Sequence, residues 1–257
     1  MGTAEAVLTV LSSPPDPRRT ADAGMSWVRT VSGVHDAVLA GTSSAGAMLG
    51  WLAERVGPGA LEGALAEAAR QHAADPTPTG VIVLPYLAGR QTPAPDASAR
   101  VRVFPADIPR SELVRAVAEG VCLQARWMLD AQAVLAGRGG GASHEGARAG
   151  SPLRVLGGPA MAIPLWAETK RRVTPGSLRW VRAEEPVAMG AGLLALTRSG
   201  VLGADVGRLL SGEAPVLDSV DDQPRPAGRR APGPGAGEYD AMYERFVAAA
   251  LEPAQPA

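Results

Sequence analysis

The sequence predicts an α/β fold, and three observations carry that assignment. Between residues 153 and 196, strand-like and helical runs alternate in a βαβα succession. Val81-Ile82-Val83-Leu84 is a short unbroken apolar run, as expected of a strand buried on both faces. Leu113, Val117, Val121, Ala125 and Met128 recur every three or four residues, which places them on one stripe of a long helix.

From the amino terminus, three strand-like stretches come first: Glu5 to Leu11, Met25 to Val31 and Val34 to Leu39. The Pro/Asp-rich segment Ser13 to Asp16 and the pair Ser32-Gly33 separate them, and the pattern predicts a meander. Thr42-Ser43-Ser44 offers hydroxyls to cap a helix running to about Val56, and Pro58-Gly59 precedes a second helix from Leu61 to His72. Residues 92 to 109 read as a proline-spaced loop before the long helix. Gly120 interrupts that helix, and because glycine costs about 1 kcal/mol there relative to alanine, it marks a close backbone approach. Residues 137 to 152 are Gly-rich, without periodicity, and read as a flexible loop. Leu153 to Leu156 (strand), Ala160 to Val173 (helix), Leu178 to Val181 (strand) and Pro186 to Leu196 (helix) follow. The chain divides into a main domain, 1–200, and a Pro/Gly-rich extension, 201–257, that ends in a helix over 238–250 bearing Tyr239, Met242, Tyr243 and Phe246.

Composition excludes several classes of function. Twenty-five basic residues against twenty-six acidic ones leave no field to attract nucleic acid or an anionic membrane. Lys170 is the only lysine, so a phosphate loop built on Gly-Lys-Ser/Thr cannot form. A nucleotide site must then rely on glycines and dipoles. One cysteine, Cys122, and three scattered histidines, His35, His72 and His144, cannot assemble a disulfide framework or a thiolate or histidine zinc site. Cys122 lies in the amphipathic stretch and reads as a core thiol. Met1 is followed by neither a basic nor an apolar leader region, and the longest apolar stretch, Val187 to Leu196, is too short to span a bilayer. The expectation is a cytoplasmic protein.

Two turns are candidate ligand contacts. In Val155-Leu156-Gly157-Gly158-Pro159 a buried strand runs into two glycines and a helix start, which lets a nucleobase or ribose lie against bare backbone beside a favourable dipole. Thr42-Ser43-Ser44-Ala45-Gly46 has the same form. Read locally, each is equally well a plain strand-to-helix turn. The chain also opens on Gly2-Thr3 leading into the apolar run Val7 to Leu11, and such a turn can present an N–H and a hydroxyl to a phosphate.

Taken in order, these stretches resemble the C-terminal half of the FGGY family of ATP-dependent carbohydrate kinases, of the xylulokinase and glycerol kinase type. The resemblance runs through Gly2-Thr3, Thr42 to Ala47 with Trp51-Leu52, and Leu84-Pro85-Tyr86-Leu87-Ala88-Gly89-Arg90-Gln91-Thr92-Pro93 with Asp96 and Arg100. It continues through Arg115 to Gly120, Gly157-Gly158-Pro159 with Pro164-Leu165-Trp166, and Ala188-Met189-Gly190-Ala191-Gly192. It implies an actin-like, ribonuclease-H-like ATPase domain with a mixed central sheet flanked by helices, closing over ATP and Mg²⁺ against an N-terminal domain. By the same resemblance Gly2 and Thr3 hold the terminal phosphates, Gly46 approaches the nucleotide, and Gly157, Gly158 and Pro159 cradle the adenosine. Catalysis is then phosphoryl transfer to a sugar or polyol hydroxyl, dominated by positioning and charge stabilisation and assisted by a carboxylate base.

In the family the sugar-binding residues and catalytic aspartate precede the Gly-Thr turn. The resemblance therefore implies no catalytic residue or metal ligand within this chain, leaves the sugar unnamed, and requires an N-terminal half in cis or in trans. Gly33-Val34-His35-Asp36 is superficially similar to the motif around that aspartate but lies downstream of it, and Asp36 reads as a surface strand residue. The chain departs from the family in carrying Arg90-Gln91 where Glu-Arg is usual, and Ala160, Met161 and Ala162 where a polar residue is common. Val101 to Pro105 lacks the glycines expected there, and the loop at 137 to 152 is long. These changes bear on hydrogen bonds to the adenosine and leave the fold untouched. Alone, the chain is expected to be inactive and, with a domain-facing surface uncovered, prone to self-association. The rival reading is a non-catalytic remnant that binds nucleotide or serves a structural role. An unrelated α/β domain would leave the first strand unpaired with the two that follow.

Overall fold

Residues 5–42 build an antiparallel sheet whose strands do not follow chain order. The computed structural model describes residues 4–30, 33–57, 59–137, 153–156, 163–176, 178–182, 185–201, 218–220 and 236–252. Strands β1 (Glu5–Leu11), β2 (Ser26–Arg29) and β3 (Asp36–Thr42) lie in the order β1-β3-β2, so the expected meander is corrected. The cause is a short helix, α1 (Pro17–Asp22), that carries the chain from β1 to the far side of β3. Asp16 caps it, its carboxylate accepting from the amides of Arg18 and Arg19 at 2.9 and 3.1 Å, and Pro17 opens it. All seven residues of β1 pair with β3, from Glu5 opposite Thr42 to Leu11 opposite Asp36. The first strand thus pairs as the kinase resemblance requires.

Helices α2 (Ala47–Val56) and α3 (Leu61–Ala74) follow β3. β4 (Ile82–Leu84) is buried on both faces, as its apolar run predicts. It pairs antiparallel with β5 (Arg102–Phe104), a strand inside the stretch read as loop. β5 is three half-buried residues between a turn and two prolines, too short for periodicity to register.

The long helix, α4 (Arg110–Leu135), is the spine of the molecule. Val114, Val117, Ala118, Val121 and Leu123 form one core with α2, β4 and the later helices, while Ala125 and Met128 form a second under Val7, Met25 and Ala40 of the first sheet and its edge. Gly120 meets β4 as its cost in the helix predicts: a Cβ there would overlap the Val83 carbonyl oxygen and stand 3.1 Å from the Val83 Cβ.

β6 (Leu153–Leu156) and β7 (Leu178–Arg182) are parallel, joined through α5 (Pro164–Val173), which confirms the βαβ unit. β8 (Asp218–Val220) adds antiparallel to β7. Helix α6 (Pro186–Arg198) follows β7. The last helix, α7 (Ala236–Leu251), inserts Tyr239, Met242, Phe246 and Ala250 into the main core. Arg126 of α4 anchors it, reaching Asp240 at 2.8 Å and lying over the Tyr243 ring. Of the loop expected at 137–152, residues 138–152 lie outside the described residues.

Candidate nucleotide-contacting turns

The turn from β3 into α2 ends at Gly46, which caps the helix in a right-handed conformation (φ −65°, ψ −26°) with no side-chain hydrogen bond to the cap. The capping expected of Thr42, Ser43 and Ser44 is corrected here. Thr42 Oγ1 accepts from the Ser44 amide at 3.2 Å, and Ser44 Oγ accepts from the Leu87 amide at 3.1 Å. Those hydroxyls shape the loop and leave the positive end of α2 without a side-chain acceptor, the local chemistry that suits an anionic or polar ligand.

A second loop braces this turn. Gln91 Oε1 accepts from the Ser43 amide at 2.9 Å while its Nε2 donates to Ser43 Oγ at 3.3 Å. Thr92 Oγ1 donates to the Gly41 carbonyl at 2.7 Å and accepts from the Gly41 amide at 3.1 Å. Behind them the Tyr86 hydroxyl donates to Gln124 at 2.8 Å, and burial, opposed by nearby Arg90, raises that phenol above its ordinary range. Arg90 is buried against the rings of Tyr86 and Trp127 and donates to the carbonyls of Ala94 and Ala250. The two residues that depart from the family motif therefore have structural work: Arg90 holds the loop to α7, and Gln91 holds the turn. Sequence reading missed Gln91 as a brace, since nothing in a sequence signals a hydrogen bond across 48 residues.

Strand register brings separate motifs to one end of the first sheet. Glu5 opposite Thr42 sets the start of β1 beside the end of β3, where the turn to Gly46 begins. Lys170 of α5, the helix reached from β6 through the Gly-Gly segment, is buried and ion-paired to Glu5. Burial disfavours its charge, but Glu5 outweighs that and the ammonium titrates above its ordinary value. α5 also opens without a side-chain cap, with Pro164 in its first turn. Gly2, Thr3, Gly157, Gly158 and Pro159 themselves lie outside the described residues, as do Ala160, Met161 and Ala162. Gly46 is the one predicted contact that is described.

Other candidates resolve into structure. Asp36 is buried rather than on the surface, accepting from Trp27 Nε1 at 2.9 Å and pairing with Arg29 at 3.4 Å. It anchors the β2–β3 hairpin. Cys122 is fully buried, its thiol pushed up to about 12 by desolvation, which makes it an inert core residue. Among the described residues no three His, Cys, Asp or Glu side chains converge as a metal site, and no helix is long and apolar enough to cross a membrane.

Comparison with known proteins adds a sequence match and a fold match. The family model described as the FGGY family of carbohydrate kinases, C-terminal domain, matches residues 1–198. A search of curated proteins finds no match. The fold is similar to a solved xyloylose kinase from Brucella ovis, with a TM-score of 0.72 at 20% identity, covering 96% of this chain and 46% of that one. It is similar to the Plasmodium falciparum glycerol kinase solved with ADP, with a TM-score of 0.68 at 17% identity, covering 99% and 47%. The xylulose kinase from Rhodospirillum rubrum gives 0.69 at 19% identity, covering 96% and 45%. The chain spans about half the length of the solved kinases it matches.

Proposed function

The chain belongs to the FGGY family of carbohydrate kinases, and we propose that it forms the nucleotide-binding half of an ATP-dependent kinase acting on a sugar or polyol hydroxyl. The meeting at Glu5 carries this reading: the β1 start lies beside the end of β3, where the turn to Gly46 begins, and the last turn of α5, the helix that follows the Gly-Gly segment, is ion-paired there. Gly46 and the start of α2, which no side chain caps, fit a phosphate or ribose, because the dipole and backbone of a helix N-terminus favour an anion. Gly2, Thr3, Gly157, Gly158 and Pro159 complete the proposed set.

In this reading the chain's own residues bind and orient. Gln91 and Thr92 fix the turn before ligand arrives, which lowers the ordering cost of binding. The bound nucleotide with its Mg²⁺ supplies the transferable phosphoryl group and neutralises its charge. The catalytic carboxylate and the sugar site belong to an N-terminal half, in cis or in trans, in a cytoplasmic enzyme.

The test is thermal unfolding of the purified chain with and without millimolar Mg-ATP. A ligand at ten times its dissociation constant stabilises by about 1.4 kcal/mol, a shift of a few degrees. The reading expects that shift, and sugar phosphorylation only when the N-terminal half is added. No shift at several millimolar would favour the remnant.

A further inference from the structure

The end of the β4–β5 ladder, where Leu84 pairs with Arg102, opens into a cavity that the nucleotide turns do not use. Its volume is about 320 Å³, near the lower end of the range for small-molecule sites. Leu84, Tyr86, Ala99 and Ala250 supply the apolar lining. Two arginines line it as well, with hydrogen-bonding capacity left over. Arg100 is fixed through one nitrogen, Nη1, which donates to the carbonyls of Ala97 and Ala99 at 2.8 Å each, while its Nε and Nη2 form no bond among the described residues. Arg102 lies over the Phe104 ring, 4.5 Å from its centre, and 3.9 Å from the Glu252 carboxylate, too far for a hydrogen bond.

Acceptors line the same cavity beside these donors. Asp96 Oδ1 holds the Ser98 amide and hydroxyl at 2.8 and 2.6 Å, which leaves Oδ2 open among the described residues, and the Glu252 side chain is 65% exposed just past the end of α7. Tyr86 is 1% exposed and the Phe104 ring lies under Arg102, so neither offers a face on which a base could stack. Open guanidiniums suit a phosphate, which takes several N–H donors at once, and carboxylates suit hydroxyls, which donate to them.

We propose that this cavity binds a phosphorylated sugar or polyol, its phosphate on Arg100 and Arg102 and its hydroxyls on Asp96 and Glu252. The lining selects this ligand independently of the two-half reading, and the site shares no residue with the Gly46 turn or with Gln91 and Thr92. It adjoins them through one link: Arg90 exchanges two backbone hydrogen bonds of 2.8 Å with Asp96, and Gln91 and Thr92 follow Arg90 in the chain.

The test is calorimetric titration of the full chain with ribose 5-phosphate and with glycerol 3-phosphate. The expected result is saturable binding of at least one ester, with inorganic phosphate, ribose and glycerol each weaker by at least about tenfold. R100Q combined with R102Q should weaken the ester at least about tenfold at nearly constant Tm, since both side chains reach solvent. If that variant fails to fold, S98E replaces an exposed residue and sets a further carboxylate against the phosphate, and the same loss is expected. No heat from either ester at millimolar concentration overturns the proposal. Equal binding by the variants places the ester elsewhere and overturns it too. Inorganic phosphate as tight as the esters shows a bare anion site, and ribose or glycerol as tight shows a site without a phosphate contact. Either result also overturns the proposal.

Discussion

Gly120 and Val83 are in backbone-to-backbone contact: the long helix reaches β4 only because position 120 has no side chain. Gly120→Ala would gain about 1 kcal/mol of helix propensity and lose more by forcing α4 off β4, overpacking that costs roughly 1 to 3 kcal/mol. The expected outcome is a net loss of stability in chemical denaturation. A more stable variant would show that the contact relaxes freely.

His72 is 2% exposed, and neither ring nitrogen has a hydrogen-bond partner among the described residues. Burial first, then Arg115 of α4 and Arg172 of α5, lower its pKa from 6.5 to about 4, while Glu168 and Asp75 act the other way. The unfolded chain therefore takes up this proton at a higher pH than the folded one. Its contribution to stability is complete above pH 6.5 and is lost as pH falls from there toward 4, by about 3 kcal/mol at most. Unfolding curves between pH 7 and 4.5 should show the slope, and His72→Leu should reduce it.

Glu5 supplies the carboxylate that keeps the buried Lys170 ammonium charged. Glu5→Ala should destabilise by about 3 kcal/mol, since removing one partner strands a buried charge. Glu5→Ala with Lys170→Met should recover most of the loss, and urea denaturation of these two variants and of Lys170→Met alone closes the cycle.

Gln91 is exposed and contributes little to the core, so Gln91→Ala should change stability by less than about 1 kcal/mol. It does remove both bonds to Ser43. Calorimetric titration should therefore find nucleotide affinity weakened several-fold at nearly constant Tm, the pattern of a positioning residue.

What the sequence made legible followed physical range. Periodicity found α4, an unbroken apolar run found β4, and the cost of glycine marked a close approach at Gly120 without naming Val83, because each signal is written within a few residues. Helix α1 was equally local: Asp16-Pro17 is a cap followed by a first-turn proline, a signal present but read as turn punctuation. The order β1-β3-β2 was not local, since strand pairing is decided by where α1 carries the chain. The site divides the same way. Gly46 was marked by its turn, whereas Gln91 as its brace and the convergence on Glu5 depend on partners tens of residues apart, and Asp36 as a buried anchor depends on Trp27 across the hairpin.

Amide hydrogen exchange of the chain with and without Mg-ATP tests the central claim most directly. Nucleotide at the start of α2 predicts slowed exchange over residues 43 to 49 and at the start of α5, with α3 unchanged. Identical exchange at saturating Mg-ATP, or slowing confined to other elements, would contradict a nucleotide-binding role for these turns.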